Sequence, residues 1–129
     1  MSQSVVSLGT VRKAALALPG AVEADHWGNP SFRVRGRIFA TVPDPARLNV
    51  MVDPFDVEAV VRAAPEACSE LHWGKEVRGV TVDLRRASCK LVGDLLEAAW
   101  RLRAPRRTLA AREVERSRRD RDRKAPAGR

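Results

Sequence analysis

Apolar residues three and four positions apart predict three helices in this chain. The first, within residues 7–18, carries one apolar face formed by Leu8, Val11, Ala15 and Leu18. An Asp-Pro pair beginning at Asp53 is typical of a helix start, and Pro65 ends this second helix. Ser88 is predicted to cap a third helix that ends at Pro105. Its predicted buried stripe consists of Leu91, Leu95, Ala98 or Ala99, and Leu102.

Between these helices, apolar and polar residues alternate as they do in half-buried strands. Phe32 and Val34 point to one side of the first such segment, and Arg33 and Arg35 point to the other. Gly36 suits a tight turn, so a hairpin is predicted there. The predicted strands are residues 31–35, 37–42, 47–52, 68–73 and 77–84. The order α-β-β-β-α-β-β-α predicts a single α+β domain, an antiparallel sheet packed on one side by helices.

The positive charge of the chain is concentrated at its C-terminal end. The first hundred residues hold twelve Lys and Arg against twelve Asp and Glu, whereas the last 29 hold twelve against four, which is the whole net charge of +8. Beyond Pro105 only Leu109 and Val114 are sizeable apolar groups, too few to offset the entropy of ordering. The sequence therefore predicts a folded domain over residues 1–104 and a disordered or transiently helical basic tail over residues 105–129.

Several classes of protein are disfavoured. Because no signal peptide and no membrane-spanning apolar run is present, the chain is predicted to be cytoplasmic with no membrane partner. No phosphate loop or nucleophile elbow indicates catalysis, so neither an enzyme nor a cofactor is predicted. Cys68 and Cys89 are expected to be buried thiols. His26 lies near Asp25 and Glu23, but metal sites need three or four converging ligands, so no metal is predicted.

Aromatic residues are few, which weakens the case for a broad base-stacking platform. They are Trp27, Trp73, Trp100, Phe32, Phe39 and Phe55, with no tyrosine. Trp27 and Trp100 are expected to be mostly packed. The tripeptide His-Trp-Gly occurs twice, at residues 26–28 and 72–74, but its flanking residues do not match and the repetition is interpreted as coincidence.

A distinctive stretch runs from Trp27 to Ala40, with the sequence Trp-Gly-Asn-Pro-Ser-Phe-Arg-Val-Arg-Gly-Arg-Ile-Phe-Ala. It follows the segment Leu-Pro-Gly-Ala-Val-Glu, which ends at Glu23. In these segments the chain resembles the MmcQ/YjbR family, over residues 7–104. The resemblance implies a CyaY-like (frataxin-like) fold and DNA binding through β-hairpin wings, with no catalytic residue set. Frataxin-type iron binding is disfavoured because residues 1–22 contain no acid.

Cations at two predicted hairpin turns are candidate nucleic-acid contacts. The first group, expected to cluster at one turn, is Arg33, Arg35 and Arg37. Guanidinium groups meet two phosphate oxygens at once, which gives affinity without sequence information. The alternative is a solvated outer face that guards the sheet. Lys75 and Arg78 form a second group beside His72 and Trp73, where the indole either stacks on a nucleotide or is a core or rim aromatic.

The tail supplies the third group of candidate contacts. Its members are Arg106, Arg107, Arg118 and Arg119. Such a segment attracts polyphosphate by counterion release, or it is a solubilising extension whose acids pair internally. The predicted function is binding of DNA or another polyanion with low sequence specificity. The alternative is a domain that binds a small molecule or a protein between the sheet and the closing helix.

Overall fold

Helices and strands account for most of the chain that the structure describes. The computed structural model describes residues 6–124, without the side chains of residues 108, 111 and 120–124. The helices are α1 (Leu8–Leu16), α2 (Pro54–Ala63), α3 (Cys89–Arg103) and α4 (Arg106–Lys124). The strands are β1 (Ala21–His26), β2 (Asn29–Val34), β3 (Arg37–Asp44), β4 (Arg47–Val50), β5 (Cys68–Trp73) and β6 (Glu76–Asp83).

The strands form one antiparallel sheet in the order β1-β2-β3-β4-β6-β5. Its two edge strands, β1 and β5, are each joined by a hairpin to their only partner. Helices α1 and α3 pack on each other, α1 also contacts β1, and α3 crosses β3 and β4. Helix α2 packs against β5 and β6. The opposite side of the sheet, which carries Arg33, Thr41, Asn49 and Thr81 and which no described helix covers, is called the open face below.

The core lies between the sheet and the helices. The buried strand residues include Phe32, Val34, Leu48, Val50, Val80 and Val82. Trp100 of α3 is fully buried with them, and its indole Nε1 donates a hydrogen bond to the carbonyl oxygen of Pro19 at 2.9 Å. Since burying one such side chain contributes about 1.5–3 kcal/mol, this layer holds α3 on the sheet.

The predicted α+β class and the order of the predicted elements are confirmed, and the structure adds strand β1. Its sequence, Ala-Val-Glu-Ala-Asp-His, includes alanine and acidic residues that are poor strand formers, and it pairs with β2 alone. Tertiary pairing therefore decides this strand. Where the sequence predicted a disordered or transiently helical tail, the structure describes helix α4.

Side-chain caps begin two helices where the sequence predicted them. The Asp53 carboxylate accepts a hydrogen bond from the backbone N–H of Phe55 at 3.0 Å. The Ser88 hydroxyl accepts one from the backbone N–H of Leu91, also at 3.0 Å. These caps satisfy N–H groups that the first helical turn leaves unpaired.

The predicted buried stripe of α3 is wrong at two positions. The buried residues are Val92, Leu95, Leu96, Ala99 and Trp100. Leu91 is only half-buried, and Leu102 is 41% exposed. Because the large Trp100 indole points into the core, the helix is rotated by about one residue relative to the predicted stripe.

Two-residue turns close the β1–β2, β2–β3 and β5–β6 hairpins. Trp27-Gly28 and Arg35-Gly36 have positive φ at both positions, 57° and 88° in the first turn and 53° and 80° in the second. This pattern is typical of type I′ turns, whose twist matches that of the strands. In the third turn Gly74, with φ 62°, precedes Lys75. The side chains of Trp27, Arg35 and Lys75 therefore lie at exposed hairpin tips.

Candidate functional site

The three arginines around the first predicted turn do not share one face. Arg33 pairs with Ile38 on the open face, whereas Arg37 pairs with Val34, which points into the core. Paired residues of antiparallel strands project to the same side, so Arg33 and Arg37 project to opposite sides. Arg35 occupies the turn between them. The prediction of one cluster is therefore wrong, and a role for each in binding stays a prediction.

Arg33 is held flat on the open face by hydrogen bonds. Its Nε donates to the Ser31 hydroxyl at 3.2 Å, and its Nη2 donates to the Asp25 carbonyl oxygen at 3.3 Å. Ser31 is fully buried and donates in turn to the Ala24 carbonyl oxygen at 2.8 Å. Because neutral acceptors hold this guanidinium, its charge is oriented without being cancelled.

The second predicted group lies at the β5–β6 hairpin. The Arg78 guanidinium lies 5.5 Å from the centre of the Trp73 ring, and it also forms an ion pair with Glu76 at 2.7 Å. Trp73 is 57% exposed, so it is a rim aromatic with one cation on its face. Lys75 is exposed in the turn itself.

Trp27 lies at the tip of the β1–β2 hairpin and is 90% exposed, so the expectation that it is packed is wrong. The expectation for Trp100 is confirmed, since it is fully buried. The His26 ring makes an edge contact with Trp27, with ring centres 6.4 Å apart. Sequence reasoning missed Trp27 because an indole normally indicates core; the following Gly28 was the available signal for a turn.

The two tryptophan-bearing tips border a common depression of the open face. It consists of two adjoining hollows of about 250 Å³ and 70 Å³ that share His26, Thr41, Met51 and Trp73. Trp27 and Asn49 line the larger hollow, and Arg78 and Arg103 line the smaller one. We call this depression the indole recess. The two His-Trp-Gly segments, interpreted from sequence as coincidence, thus both contribute their tryptophan to one place.

The indole recess combines apolar side chains with polar and cationic groups, and its lining residues include no carboxylate. Asn49 is oriented by the Thr81 hydroxyl, which donates to its side-chain oxygen at 2.8 Å. Arg103 is oriented by a hydrogen bond from its Nε to the Ile38 carbonyl oxygen at 3.3 Å. Neither hollow has an Asp or Glu among its lining residues. An anionic or hydrogen-bond-accepting ligand therefore meets complementary groups there.

Helix α4 is attached to α3 through a cluster of charges around Glu97. Arg112, Arg101 and Arg116 approach the Glu97 carboxylate at 3.0, 3.1 and 3.2 Å, and Arg101 also pairs with Glu113 at 3.1 Å. The Arg112 side chain is only 12% exposed. Burial raises the pKa of Glu97, but the hydrogen bonds and charges of these arginines outweigh it, so the pKa lies below its ordinary value.

The remaining tail candidates lie on the outside of α4. Arg106, Arg107 and Arg118 are exposed. Arg119 is exposed too and lies 3.8 Å from Glu115. The arginines of α4 that face α3 are thus paired with Glu97, whereas most of the predicted tail contacts face solvent.

Metal-ligand and thiol chemistry have little support in residues 6–124. In this range no group of three His, Cys, Asp or Glu side chains converges. Glu23 pairs with Arg12 at 2.6 Å, which lowers the pKa of the carboxyl group. Both cysteines are free; Cys68 is buried, and burial raises the pKa of its thiol. Cys89 is exposed, so the expectation that both thiols are buried is wrong for Cys89.

Among the described helices, none is both long and apolar enough to cross a bilayer.

These features define a small α+β domain with helices on one side of an antiparallel sheet and exposed cations and indoles on the other. The sequence model of the YjbR family matches residues 16–102, more than half of the chain. The chain belongs to the YjbR family, which confirms the resemblance seen in its sequence.

A solved structure is similar over most of the chain. The crystal structure of the Deinococcus radiodurans protein DR2400, which is described by its DUF419 domain, has 26% sequence identity and a TM-score of 0.64. The similarity covers 79% of this chain and 81% of that one. Among curated proteins, none matches this chain. The comparisons thus support the family and the fold, and they name no ligand.

Proposed function

We propose that this protein binds DNA with low sequence specificity, mainly through phosphate contacts and without catalysis. The observation that carries the proposal is the position of its cations. Arg35 and Lys75 project from hairpin tips, and Arg106, Arg107 and Arg118 face solvent from α4. The net charge of +8 draws such a surface to a polyphosphate, and guanidinium groups suit its oxygens. Family membership supports the same function through the DNA binding that the resemblance implies.

The tail and the folded domain contribute differently in this proposal. The arginines that attach α4 to α3 are engaged in ion pairs with Glu97, so the outward-facing arginines of α4 supply most of the affinity. The hairpin cations, including Arg33, Arg37 and Arg78, then position the domain on the backbone of the nucleic acid. Phosphate contacts of this kind set orientation but do not read sequence.

The test is a titration of labelled duplex DNA with the full chain, followed by fluorescence anisotropy at about 50 mM and about 200 mM salt. With about six phosphates neutralised, the affinity should fall ~10³-fold between these conditions. Replacing the four tail candidates by glutamine should reduce the slope of log K against log salt by about 0.9 per lost contact. The four are Arg106, Arg107, Arg118 and Arg119.

A hairpin variant and a control complete this test. Arg35→Asn with Lys75→Gln removes both tip cations, and asparagine tolerates the positive φ of the turn. It should weaken binding at both salt concentrations. Arg62→Gln on α2, which packs against the buried side of β5 and β6, removes an equally exposed charge and should have little effect. Absence of binding at low salt, or an equal loss in the control, would contradict the proposal.

The alternative is a ligand site between the sheet and the closing helix, where the body of α3 leaves little room. That space is filled by fully buried side chains, among them Leu96 and Trp100. The hollow formed by Glu66, Ser69, Thr81 and neighbouring residues, about 310 Å³, lies instead beside the edge strand β5 and is lined mainly by polar residues. Small-molecule sites are typically enclosed and mostly apolar, and this polar hollow does not resemble them.

A further inference from the structure

We propose that the indole recess binds an unpaired base of single-stranded DNA, stacked on Trp27 or Trp73, with the adjoining phosphate at Arg78 and Arg103. This inference rests on the proposed DNA binding and adds a preference for single strands. Its starting point is the exposure of two large aromatic faces, 90% for Trp27 and 57% for Trp73, on the border of one depression.

Base stacking is the chemistry that such indoles offer. A base has two flat faces that stack on aromatic side chains whatever its sequence, and these faces are accessible in single strands but are covered in a duplex. The larger hollow, about 250 Å³, lies below the roughly 300–1,000 Å³ of clefts that enclose drug-sized ligands. A single ring system therefore suits its size better than an extended ligand does.

The polar lining matches the rest of a nucleotide. The Thr81 hydroxyl occupies the side-chain oxygen of Asn49, which leaves the Asn49 amide N–H₂ group as a donor for acceptors on the base edge. Arg103 and Arg78 lie in the smaller hollow beside Trp73, at the position for the following phosphate. Glu76 shares the charge of Arg78, whereas among the described residues Arg103 bonds to a neutral acceptor, the Ile38 carbonyl oxygen.

The experiment compares a labelled thymidylate oligomer with a labelled duplex of equal length, using the full chain at one salt concentration. Trp27→Asn and Trp73→Ala should each weaken single-strand binding about tenfold, within the range that stacking on one aromatic provides. Duplex binding should change by less than about twofold. Phe55→Ala is the matched control because Phe55 is 94% exposed at the start of α2, away from the recess, and it should change neither.

Intrinsic tryptophan fluorescence gives a second readout that reports on the environment of the indoles themselves. Unlabelled thymidylate oligomer should quench the exposed indoles of the wild-type chain. The double variant, which retains only the fully buried Trp100, should show no quenching. A double variant that is still quenched would overturn the inference, since the base would then lie elsewhere.

The outcomes separate this inference from the proposed function. If duplex and single strand both bind and neither tryptophan variant discriminates between them, DNA binding stands and the indole recess is not a base site. If neither form of DNA binds at low salt, the proposed function fails and the inference fails with it. Tighter, tryptophan-dependent binding of a uridylate oligomer would overturn the assignment to DNA.

Discussion

At the scale of single residues, Trp27 occupies an unusual position. It is the first residue of a type I′ turn with φ 57°, a conformation that costs a bulky L-residue free energy and that favours asparagine or glycine. Its side chain is 90% exposed and recovers almost nothing by packing. An indole at this position therefore adds little to stability, which agrees with the binding role proposed for it.

Trp27→Asn should therefore raise the free energy of unfolding by about 0.5–1 kcal/mol, because asparagine adopts the turn conformation with less strain. Urea denaturation of the full chain measures this change. Phe55→Ala, which also removes an exposed aromatic but from a helix, should change stability by less than about 0.5 kcal/mol. A destabilised Trp27→Asn variant would show that the indole packs more than its exposure indicates.

Gly79 is required for a different reason, the close approach of two strands. A Cβ atom there would overlap the backbone carbonyl oxygen of Val50 and crowd the Cα of Met51. Gly79→Ala should thus lower the free energy of unfolding by about 1–3 kcal/mol, as overpacking against the backbone does.

Gly93→Ala in α3 is the control substitution for Gly79→Ala. A Cβ there has no described atom within 4 Å, and alanine favours a helix over glycine. Gly93→Ala should raise the free energy of unfolding by about 0.5–1 kcal/mol in the same urea experiment. Equal effects of the two substitutions would contradict the role assigned to strand packing at Gly79.

At the scale of elements, Glu97 is the carboxylate that makes most of the ion pairs between α3 and α4, beside the pair of Arg101 with Glu113. Glu97 meets three arginines, and Leu109 adds a half-buried apolar contact with the core. Helix α4 has little apolar surface, and helices in proteins gain most of their stability from packing against other elements. The order of the tail therefore depends on the contact between α3 and α4.

Glu97→Gln should weaken this contact by about 1–2 kcal/mol, because charge-assisted hydrogen bonds are lost and the largely buried Arg112 keeps its charge. Trypsin should cleave after Arg106 and Arg107 about tenfold faster than in the wild-type chain. Glu58→Gln, which breaks only an exposed pair with Arg62 on α2, is the control and should leave the cleavage rate unchanged.

The ion pairs of the Glu97 carboxylate predict that helix α4 loses order in acid. The folded pKa of Glu97 is lowered, so its contribution is complete above the unfolded value of about 4.3 and is lost as pH falls through the folded pKa. Helical circular dichroism of the wild-type chain should thus decrease below about pH 4, with a smaller step in Glu97→Gln. Identical acid profiles would argue against Glu97 as the group that holds α4.

At the scale of the whole molecule, the hydrophobic core and the indole recess lie on opposite sides of one sheet. The helices and the core occupy one side, and the indole recess and Arg33 occupy the other. Net charge is separated along the chain as well, since the first hundred residues are neutral and the last 29 carry the whole +8. This arrangement lets the domain stay folded while a charged surface remains open to a polyanion.

Much of the local structure was determined by the sequence itself. The caps at Asp53 and Ser88 and the turn at Gly36 follow from interactions between residues a few positions apart, and the structure confirms them. The separation of charge is likewise a property of the sequence. Such features need no knowledge of distant segments, which is why pattern and spacing suffice.

Only the tertiary structure decided which distant residues meet. Pairing with β2 creates strand β1, and strand register places Arg33 and Arg37 on opposite sides of the sheet. The indole recess joins Trp27 and Trp73 from the hairpins of the two edge strands, a proximity that no sequence spacing encodes. The physical reason is that strand pairing and sheet twist act between segments far apart in sequence, whereas caps and turns act within one segment.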